Sequence, residues 1–320
     1  MNLELEQAPI DDVGLRALLS RAAGATVGNE GIVGIQRRLV KRRADWRGTR
    51  LFEKITVSDG RGTFEVMAKY CRPSTDLELR VYRDILRGRQ LGTAAYWGAR
   101  GNEDGSMTLF LEFVEGRRLK RCDETGAWIE AARWLGRMHR TFTGNGSLTG
   151  LPPYDTDFYL AWAHRALESA SRVSPEAAMQ LRRIVSSYDK VARPLGEAEW
   201  TLVHGEFYCT NIMVQNSQAG IRVCPFDWET AAAGCGALDL AYLLRQKLGI
   251  TDACLNEAYR EGWREAGGCD LDAGELQAQV WRSRIHELMF SIWAEVHHKE
   301  ALPERILRSA DRAGEYLTLL

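Results

Sequence analysis

The first third of the chain alternates hydrophobic and polar residues with the period of two that is typical of half-buried β-strands. This alternation predicts five strands, at 32–40, 51–57, 63–70, 94–99 and 107–113. A hairpin turn is predicted at 58–62, because aspartate and glycine tolerate the backbone angles of tight turns. The amino-terminal part therefore contains the strands of one five-stranded sheet.

Two helices are predicted in the same part of the chain. A short one covers 11–22. The other begins after Thr75 or Asp76, either of which can cap it, and its apolar positions recur at helical spacing. These positions are Leu77, Val81, Ile85 and Leu86. The amino-terminal part thus combines a sheet with one main helix.

From Gly116 onward the hydrophobic period becomes mainly helical. One amphipathic helix is predicted at 125–142, another at 175–192, and three or four more between 252 and 320. Only three strands are predicted here, at 200–203, 212–214 and 221–225. The pattern predicts an α+β protein with two lobes, a small one at 1–114 and a larger, mostly helical one at 115–320, joined near 113–116.

Composition narrows the class of protein. The chain has 320 residues, of which 45% are hydrophobic and 27% charged, and a formal net charge of −1, so we expect neither nucleic acid nor a membrane as a partner. Seven cysteines without C-x-x-C spacing argue against a disulfide framework and a zinc site. With no recognisable secretion signal at the start, these features favour a cytoplasmic location.

The candidate chemistry lies in His204–Asn211, with the sequence HGEFYCTN, and in the Asp227-Trp228-Glu229 segment that follows it. Asn211 and Asp227 offer an amide oxygen and a carboxylate, the hard donors that Mg²⁺ prefers. Glu206 is a carboxylate that can take the proton of an attacking hydroxyl. We expect His204 to brace the loop through its ring nitrogens and Gly205 to allow a tight turn.

These segments resemble a known family. Residues 202–214 (LVHGEFYCTNIMV), 225–229 (PFDWE) and 238–243 (LDLAYL) are similar to the catalytic loop, the metal-binding segment and the next helix of aminoglycoside phosphotransferases and choline kinases. The resemblance extends over nearly the whole chain. It implies a bilobal protein-kinase-like fold, ATP as the phosphate donor (GTP is possible) and Mg²⁺ as the metal.

The resemblance also implies roles in the small lobe. Lys69 falls where the family contacts ATP phosphates, and Glu78 falls where the family holds that lysine. Backbone groups near Glu112 and Val114 fall where the family pairs with adenine. The alternatives are ordinary: a lysine at a strand end often extends into solvent, and a glutamate early in a helix is commonplace.

Two further segments take roles from the resemblance. Asp239 would brace the catalytic loop from behind, although capping its own helix is an equal alternative. The segment 41–50 falls where the family has a loop that covers the nucleotide, and its arginines and backbone amides suit phosphate. A solvated basic hairpin tip is the alternative for this segment.

One position departs from the family pattern, because Glu206 stands where these enzymes carry aspartate. The extra methylene moves the carboxylate by about 1 Å, and misplacement of that size can cost on the order of a hundredfold in rate. The metal donors and Lys69 are all present, which favours an active enzyme. A pseudokinase that binds nucleotide or a partner without turnover is the alternative.

The expected function is ATP-dependent transfer of the γ-phosphate to a hydroxyl of a small molecule, such as an aminoglycoside, an amino sugar, an amino alcohol or a biosynthetic intermediate. A kinase of serine or threonine in a natural-product precursor peptide is a further alternative. Residues 252–275 are rich in acids, which would suit an amine-bearing acceptor. However, Glu257, Glu261 and Glu265 alternate with arginines as on an exposed helix face. The sequence assigns no acceptor contact and no oligomeric state.

Overall fold

The structure is a computed structural model that describes residues 34–45, 48–58, 62–71, 76–102, 105–144, 146–218, 220–245, 249–298 and 302–320. The chain divides into two compact units between Glu115 and Gly116. The predicted helix at 11–22 and most of the turn at 58–62 lie outside the described residues. No described helix combines the length and the apolar character that crossing a membrane requires.

The first unit is built on a five-stranded antiparallel sheet, as the alternating pattern predicts. Its strands, in the spatial order β1-β2-β3-β5-β4, are β1 (Gly34–Asp45), β2 (Gly48–Ser58), β3 (Thr63–Cys71), β4 (Tyr96–Gly101) and β5 (Met107–Glu112). One face of the sheet is a core whose central members Ile55, Val57, Val66, Ala68 and Phe110 are fully buried. The hydrophobic alternation therefore identified the inward face.

The prediction of a loop at 41–50 is wrong for most of that segment. β1 continues to Asp45 and β2 begins at Gly48, and the two strands pair from Gly34 opposite Ser58 to Asp45 opposite Gly48. Backbone hydrogen bonds extend this hairpin through residues whose side chains carry no hydrophobic alternation. The pairing partner, which local sequence does not reveal, decides the conformation.

The single main helix of the first unit begins as α1 (Asp76–Arg80) and continues as a π-helical turn to Leu86. The predicted apolar stripe is confirmed at Val81, Ile85 and Leu86, which are buried. Glu78 is buried with them and lies on the same short helix. This element therefore holds a carboxylate inside the unit.

The second unit is mostly helical. Its helices are α2 (Thr125–Phe142), α3 (Thr156–Val173), α4 (Pro175–Val185), α5 (Asp189–Gly196), α6 (Ala237–Arg245), α7 (Asp252–Glu265), α8 (Ala273–His298) and α9 (Pro303–Leu317), with short 3₁₀ turns at Leu119–Arg121 and Gly146–Leu148. Its strands are β6 (Arg117–Arg118), β7 (Trp200–Val203), β8 (Ile212–Ser217), β9 (Gly220–Pro225) and β10 (Ala232–Cys235). Strands β6, β8 and β9 form one sheet, and β7 pairs with β10. The prediction of only three strands is wrong, because β6 and β10 depend on partners far away in sequence.

The predicted helix at 175–192 is two helices. α4 ends at Val185 and α5 begins at Asp189. The hydroxyls of Ser186 and Ser187 donate to the carbonyls of Arg183 and Ile184, which is how serine competes with helix continuation. By contrast, the predicted helix at Thr125–Phe142 is confirmed with the same bounds.

Two glycines allow α2 and α7 to pack in backbone contact. A Cβ on Gly136 would lie 2.0 Å from the carbonyl oxygen of Tyr259, and one on Gly262 would lie 1.8 Å from the carbonyl oxygen of Arg133. No larger residue fits at either position without separating the helices. This close approach brings Tyr259 against His139, which supports the site described next.

Candidate active site

The loop from His204 to Asn211 connects β7 to β8, and its first turn requires glycine. Gly205 has φ 78°, and a Cβ at this position would lie 2.4 Å from the carbonyl oxygen of Thr230. Both the left-handed backbone and the lack of space exclude a side chain there. The Thr230 hydroxyl donates to the His204 carbonyl at 3.1 Å, so the turn is held on this side as well.

Asp239 holds the turn from behind. Its carboxylate accepts hydrogen bonds from the backbone N–H of His204 at 2.6 Å and of Gly205 at 2.9 Å. Asp239 is fully buried in the first turn of α6. These bonds go to the loop, so the bracing role that the resemblance implies is confirmed.

A buried histidine that sequence reasoning did not single out completes this support. His139 on α2 places Nε2 3.3 Å from the Asp239 carboxylate and Nδ1 2.9 Å from the Tyr259 hydroxyl. The Thr201 hydroxyl donates to the His139 carbonyl at 2.6 Å. The helical spacing of the sequence indicates this burial, because His139 shares the inward face of α2 with the apolar Leu135 and Phe142.

His204 links the loop to the segment that carries Asp227. Its Nε2 lies 3.1 Å from the carbonyl oxygen of Phe226, and its Nδ1 accepts from the N–H of Glu206 at 3.3 Å. These partners require the tautomer with the proton on Nε2. Burial lowers the pKa of His204, against the opposing effect of Asp239, so the ring is neutral near pH 7.

Asn211 is oriented by the same loop. Its Nδ2 donates to the carbonyl of Glu206 at 3.1 Å, and its backbone N–H donates to Tyr208 at 2.8 Å. Its carbonyl accepts from the N–H of Phe226 at 3.0 Å. Because the amide nitrogen faces the Glu206 carbonyl, the amide oxygen points away from it. That oxygen is the atom that can bind a metal ion.

Asp227 is the second residue after the end of β9, and its backbone conformation is unusual. Its φ of 72° makes it the one non-glycine residue with positive φ among the residues described. Such conformations are uncommon, although aspartate and asparagine adopt them most readily, and they concentrate at functional sites. A carboxylate oxygen of Glu229 lies within 4.8 Å of a carboxylate oxygen of Asp227. Sequence reasoning did not assign Glu229 a role, although the Asp-x-Glu spacing was visible.

In the first unit, Lys69 and Glu78 form a buried ion pair. The Lys69 Nζ lies 2.6 Å from a Glu78 carboxylate oxygen, and the side chains are 5% and 1% exposed. The alternative that Lys69 extends into solvent is therefore wrong. β3 supplies the lysine and α1 the glutamate, so the pair ties the sheet to its helix.

The predicted hinge begins where β5 ends. The Glu112 N–H donates to the Ala95 carbonyl at 2.8 Å, its carboxylate accepts from the Ala95 N–H at 3.1 Å, and the Phe113 N–H donates to Glu65 at 3.1 Å. Neither of these two N–H groups is available as the donor to an adenine ring. Of the predicted contacts, the N–H of Val114 remains the candidate donor.

Most acids of 252–275 form ion pairs with arginines of α7 or of neighbouring helices. Arg260 and Arg264 both pair with Glu257 and Asp270. Glu261 pairs with Arg133 of α2 at 2.5 Å. The interpretation of Glu257, Glu261 and Glu265 as part of an exposed, charge-paired helix face is confirmed.

Comparison with known proteins agrees with this arrangement. The family model of the phosphotransferase enzyme family matches residues 56–279, and the chain belongs to this family. No curated protein sequence matches the chain.

Solved structures show the same fold at low sequence identity. A proposed aminoglycoside phosphotransferase from Ralstonia eutropha JMP134 has a TM-score of 0.62 at 17% identity, over 95% of this chain and 98% of that one. Choline kinase from Cryptosporidium parvum Iowa II has a TM-score of 0.60 at 12% identity, over 97% of both chains. A spectinomycin phosphotransferase in complex with ADP and spectinomycin has a TM-score of 0.54 at 14% identity, over 96% and 95%. The protein-kinase-like fold is therefore established, with a phosphotransferase function at the level of the family.

Proposed function

We propose that this protein is an ATP- and Mg²⁺-dependent phosphotransferase that phosphorylates a hydroxyl group of a small molecule. GTP is a possible alternative donor. The observation that carries the proposal is the arrangement around Glu206. One loop holds Glu206 and Asn211 through a side-chain hydrogen bond, and His204 joins this loop to the segment that carries Asp227.

The donor set of the second unit fits Mg²⁺. Asn211 and Asp227 would hold the ion with hard oxygen atoms, and the nearby carboxylate of Glu229 offers a further donor. When bound, the ion would neutralise negative charge on the phosphates. The rigid support from Asp239 and His139 keeps the loop in place, so little reorganisation is needed during the reaction.

Glu206 is the proposed base. The acceptor's hydroxyl oxygen forms the new bond to the γ-phosphorus, the bond from that phosphorus to ADP breaks, and the hydroxyl proton passes to the Glu206 carboxylate. Lys69, held by Glu78, is the proposed contact to the nucleotide phosphates, and the N–H of Val114 is the proposed donor to the base of the nucleotide. Backbone carbonyl groups near Glu112 are the proposed acceptors of hydrogen bonds from adenine.

Substitution of Asp227 tests the function. We expect Asp227→Asn and Asp227→Ala to lower kcat by on the order of 10³-fold, because a metal ligand worth several kcal/mol is lost. Asparagine tolerates the positive φ of this position, so Asp227→Asn separates the loss of a charged ligand from backbone strain. The measurement is Mg²⁺-dependent ADP formation across a panel of hydroxyl acceptors. Normal turnover in both variants would refute the assignment.

A further inference from the structure

A large cavity in the second unit is not used by the chemistry described so far. Its volume is about 820 Å³, and its walls come from the end of α6 and from α8 and α9. Tyr208, Phe290 and Tyr316 contribute aromatic surface. A cavity of this volume is in the range of small-molecule sites.

The cavity lies against the catalytic loop. Tyr208, one of its lining residues, is two positions from Glu206, and its N–H donates to the Glu206 carbonyl at 2.7 Å. The Tyr208 ring packs on Tyr242 of α6 with centroids 4.7 Å apart. The cavity wall and the proposed base therefore belong to one continuous loop.

The charges of the lining are unequal. Its described residues include five arginines, Arg245, Arg284, Arg305, Arg308 and Arg312. They include only three carboxylates, Asp252, Glu287 and Glu295. Burial raises the pKa of Glu287, and the nearby Arg245, Arg284 and Arg312 oppose this rise. The described lining residues therefore carry a formal excess of two positive charges.

Each carboxylate already has an arginine partner. Glu287 pairs with Arg245, Asp252 with Arg284 at 2.8 Å, and Glu295 with Arg305 at 3.1 Å.

Arg308 and Arg312 form no ion pair with a carboxylate within the part of the chain that the structure describes. They lie four residues apart on α9, one helical turn from each other on the same face. Both residues line the cavity, and the Arg312 guanidinium lies 5.9 Å from the centre of the Tyr316 ring and opposes the rise in the pKa of Glu287.

We propose that this cavity binds the phosphate acceptor and that the acceptor is an alcohol carrying an anionic group, a carboxylate or a phosphate, which Arg308 and Arg312 bind. Guanidinium groups match both anions with paired N–H donors. A cationic acceptor would meet the excess positive charge and find each acid already paired. This inference rests on the proposed function, because it names the acceptor class of the same reaction.

The test uses Arg308→Ala/Arg312→Ala, with Arg182→Ala/Arg183→Ala as the matched control. All four arginines are exposed, and Arg182 and Arg183 lie on α4 outside the cavity lining. Binding of malate, of glycerol 3-phosphate and of choline is measured by calorimetry without nucleotide. ADP formation is then measured with the same three compounds and with MgATP. Malate and glycerol 3-phosphate distinguish a carboxylate from a phosphate group.

We expect malate or glycerol 3-phosphate to bind the native chain and the control equally. The double variant should bind that compound more weakly by roughly tenfold or more, since each charge-assisted hydrogen bond carries about a tenfold change. KM for that acceptor should rise with little change in kcat.

The inference is overturned if neither anion binds, if both bind the double variant as tightly as the control, or if choline binds better than both anions. Arginine-dependent anion binding without turnover counts against the proposed function and leaves the cavity assignment intact.

Discussion

The Asp239 carboxylate lies 2.6 Å from the backbone nitrogen of His204, in a position that no solvent reaches. The same carboxylate accepts from Gly205 and from the His139 ring, so one buried negative charge satisfies three donors. A buried charge is tolerated only when it is paired or hydrogen-bonded in this way. The geometry of the loop therefore depends on a residue that touches neither substrate nor metal.

Asp239→Asn should destabilise the protein and slow turnover together. An amide offers one acceptor oxygen and places N–H groups against the other donors, and we expect a loss of about 3 kcal/mol in the free energy of unfolding. Denaturant unfolding and kcat are the measurements. Asp189→Asn, at an exposed position of α5, is the control and should change stability by less than about 0.5 kcal/mol. Unchanged stability in Asp239→Asn would show that the network does not hold the loop.

The Lys69–Glu78 pair allows a structural role to be separated from a role in catalysis. Lys69→Met or Glu78→Gln alone leaves one buried charge without its partner, which should cost about 3–5 kcal/mol of stability. The double variant Lys69→Met/Glu78→Leu should recover much of that stability, because neither charge remains. Turnover should not recover, since the proposed phosphate contact is absent.

Denaturant unfolding and steady-state kinetics with varied ATP provide these two measurements. Asp84→Asn, which removes one member of an exposed pair with Arg83, is the matched control and should leave both nearly unchanged. Full turnover in the double variant would mean that the pair is only structural.

Glu206→Gln should keep nucleotide binding and slow phosphate transfer by roughly 10²–10⁴-fold, the usual contribution of a general base. Glu206→Asp shortens the side chain by one methylene, and the proton acceptor then lies about 1 Å from its place in this loop, so we expect slower turnover than in the native chain. Single-turnover rates and nucleotide affinity are the measurements, with Glu197→Gln as an exposed control. A Glu206→Gln rate equal to the native rate would remove Glu206 from the mechanism.

His286 on α8 should make stability depend on pH. The ring is buried edge-on against Tyr159 with centroids 4.7 Å apart, and burial lowers its pKa to about 3. In the unfolded chain the histidine pKa is about 6.5. Between pH 3 and pH 6.5 this histidine therefore binds a proton in the unfolded chain and stays neutral in the folded chain. The free energy of unfolding is therefore fully retained above pH about 6.5 and falls as the pH decreases towards 3, by at most about 1.4 kcal/mol per pH unit.

His286→Phe removes this contribution while keeping a ring. The difference in unfolding free energy between this variant and the native chain should shift by about 1 kcal/mol per unit between pH 6 and 4, which isolates His286 from the carboxylates that titrate in both proteins. His164→Phe, at an exposed position of α3, should follow the native pH profile. A difference that is independent of pH would contradict the assignment.

The sequence by itself determined the elements whose signals are local. The alternation of Ile55 with Val57 in β2 and of Val66 with Ala68 in β3, and the helical period of Thr125–Phe142, indicate which face is buried, because side chains return to the same face every two or every 3.6 residues. The spacing of His204, Asn211 and Asp227 likewise placed the candidate chemistry on two loops that flank β8 and β9. Hydrophobic periodicity and motif spacing are properties of residues that are close in sequence, so they can be recognised without knowing the fold.

Only the tertiary structure decided the features that depend on distant partners. The four residues of β10 form a strand because β7 lies beside them. Asp239 supports the loop because the fold brings α6 next to Gly205, although the two residues are 34 positions apart in sequence. The charge of the α8–α9 cavity depends on which acids the arginines reach across two helices. A sequence pattern records the charge of each residue, whereas the fold determines which charges are neutralised and which face a ligand.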